Sequence, residues 1–325
     1  MATSGIHHVT AISGPARRNV DFYTRVLGLR LVKKTVNFDD PGTYHLYYGD
    51  EAGRPGTILT FFPWEHVAPG RLGIGEAAET AFRAPRASLG WWTHRFVSEG
   101  VAHDAPAQSF GETVLPFRDP DGTRLALVCG DGVADEPAWP ADGIPTEHAL
   151  RGFHGVTLML AEAKPTAAIL QDVLGFAEVG REGSRLRLAS GAAEGGAVTL
   201  HEVGDFLPGR PGGGSVHHVA FRAADDAAEM AMVERLRTHH GIVTTEQKDR
   251  NYFRSVYFRE PGGVLFEIAT DIPGFAIDEA PDTLGQALKL PTPLQPRRAE
   301  IEAALPDLGP VRSQAAPGWP SRRDG

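Results

Sequence analysis

Two His-His pairs and one late glutamate are the residues of this chain whose types and positions best suit metal chemistry. The pairs lie in two similar strand-like stretches, residues 5–10 and 215–220, and the glutamate lies within residues 261–268. Two imidazoles and one carboxylate on separate strands suit a divalent metal that keeps open coordination positions, and non-haem Fe(II) is the typical occupant of such a set. We therefore expect an enzyme that uses oxygen.

An internal repeat organises the chain and separates these residues from its other histidines and acids. Residues 5–10 recur as residues 152–157, and residues 26–29 recur as residues 173–176 at the same offset. A weaker echo relates the stretch that begins at Ala81 to the stretch after the second His pair. Because separated motifs rarely share one offset by chance, the sequence predicts four related modules, two in each half of the chain.

Each module is predicted to contain one strand, one helix and then three strands. In module 1, Pro15 suits the first turn of the helix, and Gly28 suits its end because glycine adopts the left-handed conformation freely. Val20, Tyr23 and Leu27 lie on one apolar face of that helix. The helix is therefore expected to pack that face against its own strands.

The length of 325 residues favours two domains, because a single core rarely grows to this size. We predict an N-terminal domain at 1–130 with modules 1 and 2, and a C-terminal domain at 150–290 with modules 3 and 4. Residues 131–149, rich in Asp, Pro, Ala and Gly, are predicted to link them. Residues 291–325 form a C-terminal extension that we expect to be partly disordered, from Pro306 onward.

The composition is that of a soluble globular protein, with 42% hydrophobic and 22% charged residues. A net charge of −9 argues against nucleic acid or a membrane as the main partner, since both attract basic surfaces. No apolar run approaches the roughly 20 residues of a membrane span. The first predicted strand leaves no room for a signal peptide before it, and Cys129 alone cannot form an intrachain disulfide. We expect a cytoplasmic protein, and a homo-oligomer stays open.

The repeat shows what each module holds at the position of the second histidine. That position is occupied, in chain order, by His8, Glu79, Gly155 and His218. The position of Glu267 maps to Ala126 in module 2 and near Thr60 in module 1. Ligand-type residues therefore concentrate in modules 1 and 4, and we predict His8, His218 and Glu267 as the metal ligands. Modules 1 and 4 must then face each other, so that the two ends of the chain converge.

Strand geometry leaves the first histidine of each pair open to two interpretations. Successive side chains on a strand point to opposite faces, so Thr10 shares the face of His8 while His7 points away, unless a bulge turns it. The same relation holds between His217 and His218. His7 and His217 are either acid–base or hydrogen-bonding groups that support the site, or satisfied histidines on the outer face.

Two further polar residues of module 4 lie between the second His pair and Glu267. Arg250 suits the polarisation of a substrate oxygen, and Tyr257 suits a hydrogen bond or a proton relay. Each is also compatible with a surface ion pair or a core tyrosine. The remaining histidines, His45 among them, have no counterpart in the repeat that supports a ligand role.

The fourfold module, with a histidine near the start and a glutamate near the end, resembles the vicinal-oxygen-chelate superfamily, also called the glyoxalase / extradiol dioxygenase fold. More narrowly, the chain is similar to the ring-cleaving dioxygenases that open hydroquinones. Matching stretches run through most of residues 5–290 and include residues 7–10, 31–35, 44–48, 89–92, 147–154, 217–218 and 261–267. The implied fold class is α/β (α+β), with four βαβββ modules in two tandem domains whose mixed, curled sheets form half-barrel clefts.

The resemblance also implies a reaction and the residues that carry it. Fe(II) is the expected cofactor, with Mn(II) or another divalent ion possible in the isolated protein, and O2 and a small aromatic diol are the expected partners. The implied metal ligands are His8, His218 and Glu267. The implied catalytic residues are His7, His217, Arg250 and Tyr257, and the implied substrate-binding residues are Thr10, Arg250 and Tyr257.

Two other functions stay open at this point. A glyoxalase-like isomerase or lyase commonly binds Ni or Zn through two histidines and two glutamates, but residues 57–62 contain no carboxylate for the fourth ligand. A metal-free binding protein of the same fold has no need for two histidines and a glutamate at these positions. Metal analysis and O2 consumption distinguish the three functions.

Overall fold

The structure is a computed structural model that describes residues 4–309. The predicted order of one strand, one helix and three strands is confirmed in all four modules. The elements of modules 1 and 2 are β1 Ile6–Ser13, α1 Ala16–Asp21, β2 Arg30–Asn37, β3 Asp40–Gly49, β4 Ile58–Pro63, β5 Glu76–Pro85, α2 Leu89–Ser98, β6 Ala107–Ser109, β7 Glu112–Arg118 and β8 Arg124–Gly130. The elements that follow are β9 Phe153–Leu160, α3 Lys164–Asp172, β10 Ala177–Glu182, β11 Arg185–Ala189, β12 Ala197–Glu202, β13 Val216–Ala223, α4 Asp226–His240, β14 Lys248–Asp249, β15 Phe253–Arg259, β16 Leu265–Pro273 and α5 Arg298–Ala304.

Helix α1 begins and ends where the local sequence predicts. It starts directly after Pro15 and continues into a π-helical turn, Phe22–Val26. Gly28 then adopts φ +71°, the left-handed conformation expected of it. Packing excludes a side chain there as well, because a Cβ on Gly28 would lie 2.5 Å from Ile144 Cδ1. The end of the helix is therefore set by both the backbone and its neighbours.

Two eight-stranded sheets contain all sixteen strands of the described residues. One sheet has the order β14-β15-β16-β13-β1-β4-β3-β2, and the other has the order β10-β11-β12-β9-β5-β8-β7-β6. The first sheet thus joins modules 4 and 1, and the second joins modules 3 and 2. Strand β1 pairs antiparallel with β13, so modules 1 and 4 lie side by side as expected. The domain boundaries at 1–130 and 150–290 stay a prediction.

The segment after β16 is tied to the first strands by a buried ion pair. Lys33 of β2 is fully buried, and its Nζ lies 2.6 Å from Asp278 Oδ1 and 2.5 Å from Glu279 Oε2. The Tyr252 hydroxyl donates to Asp278 Oδ2 at 3.1 Å. Phe275 packs in the same cluster beside Tyr252. These contacts connect the last residues of module 4 to module 1 on the same sheet.

Beyond the four modules, the chain continues into helix α5 and returns to the core. Leu308 is buried there, with 8% of its surface exposed. The tail that we expect to be poorly ordered lies, from residue 310, outside the described residues. Across residues 4–309, the helices are too short or too polar to cross a membrane.

Candidate metal centre

Strand register places the predicted ligands on one face of the sheet formed by modules 1 and 4. Residues directly opposite each other on paired strands share a face of the sheet. One row across the strands contains Ile58, His8, Ala220, Glu267 and Tyr257. The adjacent row contains Lys33, Tyr47, Thr60, Thr10 and His218. Two ligands therefore lie in one row and the third in the next, although they are far apart in the sequence.

The three predicted ligands converge on one point. His8 Nε2 lies 3.3 Å from His218 Nε2 and 3.2 Å from Glu267 Oε2. His218 Nε2 lies 2.8 Å from Glu267 Oε2. All three side chains are buried. Within residues 4–309, no other group of three or more histidine, cysteine and acidic side chains converges in this way.

These separations suit ligands of one ion better than hydrogen bonds between the side chains. Glu267 is fully buried, and Oε2 lies close to the two histidine Nε2 atoms, but among the described residues no group makes a well-aligned hydrogen bond to either carboxylate oxygen. A buried carboxylate that accepts no aligned hydrogen bond costs free energy, which a cation would offset. Two atoms that bind one ion at about 2.1 Å and at a right angle lie about 3.0 Å apart. The observed distances bracket that value, so the three residues fit a divalent metal ion.

The electrostatics of the centre favour the protonation states that a metal requires. Burial alone would raise the pKa of Glu267, but the His8 and His218 rings lower it well below its usual value. Burial lowers the pKa of His218, although the Glu267 carboxylate opposes that shift. At neutral pH we therefore expect an ionised carboxylate and a neutral His218 imidazole, which are the metal-binding forms.

The first histidine of each pair forms a hydrogen bond with the predicted ligand beside it. His7 Nδ1 lies 2.9 Å from His8 Nδ1, and His217 Nδ1 lies 2.8 Å from His218 Nδ1. The pairing of β1 with β13 shifts register at both His7 and His217. Such bulges interrupt the alternation of side chains along a strand. A bulge therefore redirects His7 and His217 from the outer face of the sheet, and both histidines lie beside the centre.

This contact determines which nitrogen of the ligand histidine is free. If His8 binds an ion through Nε2, its Nδ1 carries the hydrogen and donates it to His7 Nδ1. Burial and the neighbouring His8 ring lower the pKa of His7 well below its usual value, so a neutral His7 is available as the acceptor. The structure thus places His7 as a hydrogen-bond partner of His8, a predicted ligand. A direct acid–base role for His7 and His217 stays a prediction.

We expect His7→Leu to weaken metal binding by about 10–100-fold, the usual effect of removing the hydrogen-bond partner of a ligand histidine. His7→Asn is the matched control, because its side-chain oxygen lies near the position of Nδ1 and accepts the same bond. Titration of the metal-free variants with Mn(II), followed by electron paramagnetic resonance, gives both dissociation constants. Equal weakening in the two variants would show that packing, rather than the hydrogen bond, holds His8 in place.

The residues predicted to contact substrate lie around the same point. Arg250 Nε lies 3.3 Å from the Tyr257 hydroxyl, and the guanidinium carbon lies 5.4 Å from the centre of the Tyr257 ring. The Tyr257 ring meets the His218 ring edge to face, with 5.7 Å between their centres. Burial and the Glu267 charge raise the pKa of Tyr257, so its phenol keeps its proton at neutral pH. Contact between these residues and a substrate stays a prediction.

The repeat gives no support for a ligand role of His45, but in the structure His45 lies beside the candidate metal centre. Its Nε2 lies 2.8 Å from Thr60 Oγ1, and its Nδ1 lies 2.9 Å from the Tyr47 hydroxyl. Burial, followed by the His8 and His218 rings, lowers the pKa of His45 well below its usual value. The spacing of His45 and Tyr47 on one strand predicts a shared face. The sequence alone does not show that β3 turns this face toward the ligands.

The corresponding positions of the other sheet do not form this centre. Ala126 occupies the glutamate position in module 2, as the repeat predicted. Gly155 occupies the second-histidine position in module 3, and a Cβ there would lie 2.0 Å from Ala197 O. No histidine fits at Gly155 without moving β12. Glu79 is half-buried, and burial raises its pKa. Module 2 thus keeps a single acid where modules 1 and 4 build a complete set.

Comparisons with known proteins agree with the sequence and the fold. A family model described as the Glyoxalase/Bleomycin resistance protein/Dioxygenase superfamily matches residues 5–127 and 152–268. "Putative ring-cleaving dioxygenase MhqO" of Bacillus subtilis is 43% identical over 93% of this chain and 96% of its own length. "Chlorohydroquinone/hydroquinone 1,2-dioxygenase" of Sphingobium indicum is 34% identical over 93% of this chain and 96% of its own.

A solved structure extends the likeness to three dimensions. The crystal structure of a putative dioxygenase from Bacillus subtilis superposes with a TM-score of 0.90 at 43% identity, and covers 96% of this chain and 99% of its own. The residues that the family model matches include both halves of the repeat and all three candidate ligands. The chain belongs to the Glyoxalase/Bleomycin resistance protein/Dioxygenase superfamily.

Proposed function

We propose that the protein is an Fe(II)-dependent dioxygenase that cleaves a hydroquinone- or catechol-type aromatic ring with O2. The observation that carries the proposal is the buried convergence of His8, His218 and Glu267, with no fourth histidine or acid joining them among the described residues. Two histidines and one carboxylate with open positions are typical of non-haem Fe(II) enzymes that activate oxygen. One relative is named as a ring-cleaving dioxygenase, and another is named as a dioxygenase of hydroquinones.

Bound Fe(II) would supply open positions for the diol and for O2, and would let electron density pass from the diol to O2. The protein would supply the rest of the site. The Phe253 ring lies 5.0 Å from the His8 ring, and the Phe62 ring lies 5.7 Å from the His217 ring. These apolar groups suit the faces of an aromatic ring and exclude water from the reacting atoms.

Arg250 and Tyr257 are suited to the two charge changes of the proposed reaction. A diol must lose a proton to bind as a phenolate, and the Arg250 guanidinium stabilises the negative charge on its oxygen. Cleavage of the oxygen–oxygen bond then requires a proton, and the Tyr257 hydroxyl is a neutral donor beside Glu267. The contact between Arg250 and Tyr257 holds the guanidinium and the phenol in a fixed relation.

The contacts of Thr60 argue against a four-ligand isomerase centre. A fourth ligand of that type would have to come from β4, where Thr60 corresponds by register to Glu267. Thr60 Oγ1 instead lies 2.8 Å from His45 Nε2 and 2.9 Å from Thr10 Oγ1. Its hydroxyl is used in hydrogen bonds between side chains, which supports a three-ligand centre.

We expect Fe(II)-loaded protein to consume about one O2 per diol with at least one member of a hydroquinone and catechol panel. An oxygen electrode measures uptake, and mass spectrometry with ¹⁸O2 shows both atoms in the ring-opened product. Protein loaded with Ni(II) or Zn(II) is the control and should consume none. Activity on a thiol adduct with Ni(II) or Zn(II), without O2 uptake by the Fe(II) form, would instead establish the isomerase.

A further inference from the structure

Four side chains form a continuous hydrogen-bonded chain on the face that carries the candidate metal centre. The Tyr47 hydroxyl lies 2.9 Å from His45 Nδ1, and His45 Nε2 lies 2.8 Å from Thr60 Oγ1. Thr60 Oγ1 lies 2.9 Å from Thr10 Oγ1. Tyr47, Thr60 and Thr10 are buried, with 2%, 0% and 0% of their surfaces exposed. Tyr47, His45 and Thr60 are neither predicted metal ligands nor predicted substrate-contacting residues, so their role is still to be explained.

The number of hydrogens that these side chains carry determines which group donates in each hydrogen bond. A neutral imidazole carries one hydrogen, so His45 donates from either Nε2 or Nδ1. If Nδ1 donated, Tyr47 would accept, and its own hydrogen would have no acceptor among the described residues. A buried donor without a partner is unfavourable. The Nε2–H tautomer avoids this cost, because Tyr47 then donates to Nδ1 and His45 donates to Thr60.

The same argument makes Thr60 the donor in its hydrogen bond with Thr10. Thr60 Oγ1 accepts from His45, so its own hydrogen is free to point to Thr10 Oγ1 at 2.9 Å. Thr10 then keeps a hydrogen that has no protein acceptor among residues 4–309. Thr10 lies two residues after His8 and shares its face of the strand. The unsatisfied donor is therefore next to the predicted ligands.

We propose that His45 is a positioning residue, which acts through Thr60 to hold the Thr10 hydroxyl as a hydrogen-bond donor for the phenolate oxygen of the bound substrate. This inference rests on the proposed function, since it assigns Thr10 a diol as its acceptor. Tyr47 fixes the tautomer of His45, and His45 fixes the direction of the Thr60 hydroxyl. These hydrogen bonds orient the Thr10 hydroxyl before the substrate binds, which lowers the entropy lost on binding.

Two substitutions of His45 separate this role from simple packing. His45→Gln places an amide NH2 near the position of Nε2, so it still donates to Thr60. His45→Asn reaches only the position of Nδ1, so it contacts Tyr47 but leaves Thr60 without a donor. Thr60→Val keeps the shape of the side chain and removes the hydroxyl. His154→Asn, in the other sheet, is the control for loss of a partly buried histidine.

The test measures hydroquinone binding without O2, by fluorescence titration of the Mn(II)-loaded protein. We expect His45→Asn and Thr60→Val to weaken binding by about 10-fold or more, as for loss of a hydrogen bond to a charged oxygen. His45→Gln and His154→Asn should remain within about threefold of the wild type. With Fe(II), the KM should rise in the two weakened variants while Mn(II) affinity stays constant in all four.

Nitrogen-15 NMR of the histidine rings gives an independent readout. The His45 resonances, assigned from the His45→Gln spectrum, should show a protonated Nε2 and an unprotonated Nδ1. Equal binding by His45→Gln and His45→Asn, or an Nδ1–H tautomer, would overturn the inference. Wild-type protein that binds hydroquinone but consumes no O2 contradicts the proposed function alone. Wild-type protein that binds no diol contradicts both.

Discussion

In the Glu267→Gln variant, we expect divalent metal to lose its stabilising effect on the fold, and O2 consumption to fall by more than about 100-fold. Loss of a ligand should exceed the 10–100-fold effect of removing an outer partner such as His7. Glutamine keeps the shape of the side chain but offers no negative charge. The buried centre then has two neutral imidazoles facing a dication, without the carboxylate that balances it.

Thermal unfolding with and without Mn(II) measures the effect on the fold. A ligand at about 100 times its dissociation constant stabilises the native protein by about 2.7 kcal/mol. Because bound Mn(II) stabilises the native protein, it should raise the Tm of the wild type, and it should raise the Tm of Glu267→Gln hardly at all. Circular dichroism of the metal-free variant checks that the fold is intact.

Glu79→Gln is the matched control for the glutamate substitution. Glu79 occupies the second-histidine position in module 2, on a strand of the other sheet, and it is partly buried. Its register partner on β9 is Thr157, and no group of converging metal-ligating side chains among the described residues includes Glu79. Metal stabilisation and O2 consumption should therefore match the wild type. Loss of both in Glu79→Gln, or their retention in Glu267→Gln, would contradict the assignment of the centre.

The second large effect is expected from Lys33→Met, which should reduce the free energy of unfolding by about 3–5 kcal/mol. Lys33 is fully buried between Asp278 and Glu279, and Glu279 is 3% exposed. Removing the ammonium leaves a buried carboxylate whose other contacts are backbone N–H groups at 3.2 and 3.3 Å. Asp278 is one-third exposed, so water moderates its share of the loss.

Urea unfolding of three further variants tests the cause of the loss: Lys34→Met, Glu279→Gln alone, and Glu279→Gln combined with Lys33→Met. Lys34→Met changes the neighbouring lysine, which is partly buried and interacts with the Glu279 charge only at longer range, and it should cost less than about 1 kcal/mol. Glu279→Gln in the Lys33→Met background should recover part of the loss, because it removes the unpaired charge. Additive losses in the double variant would show that Lys33 and Glu279 stabilise the fold independently.

The sequence singled out His8, His218 and Glu267 as candidate ligands because the repeat provides an internal comparison. His8 and His218 stand out against Gly155 and Glu79 at the same module position, and this contrast needs no coordinates. The order of strands and helix in each module follows from local signals such as Pro15. These features depend on residues that are close in the chain, and the structure confirms the order of the elements.

The positions of His7 and His45 needed the tertiary structure. Alternation along a strand directs His7 away from His8, and only the pairing with β13 reveals the bulge that brings the two rings together. His45 has no signal in the repeat, because its role depends on the register of β3 against β4 and of β4 against β1. Register depends on contacts between distant segments, so no local pattern contains it.

The sequence by itself determined the kind of elements, their fourfold order and the three side chains suited to a metal, because local conformation and residue chemistry are properties of short stretches. The tertiary structure decided that modules 1 and 4 share one sheet, that the candidate ligand atoms lie within 3.3 Å of one another, and that His45 connects through Thr60 to Thr10. The physical reason is that pairing between distant strands, with its bulges, sets which side chains meet across a sheet.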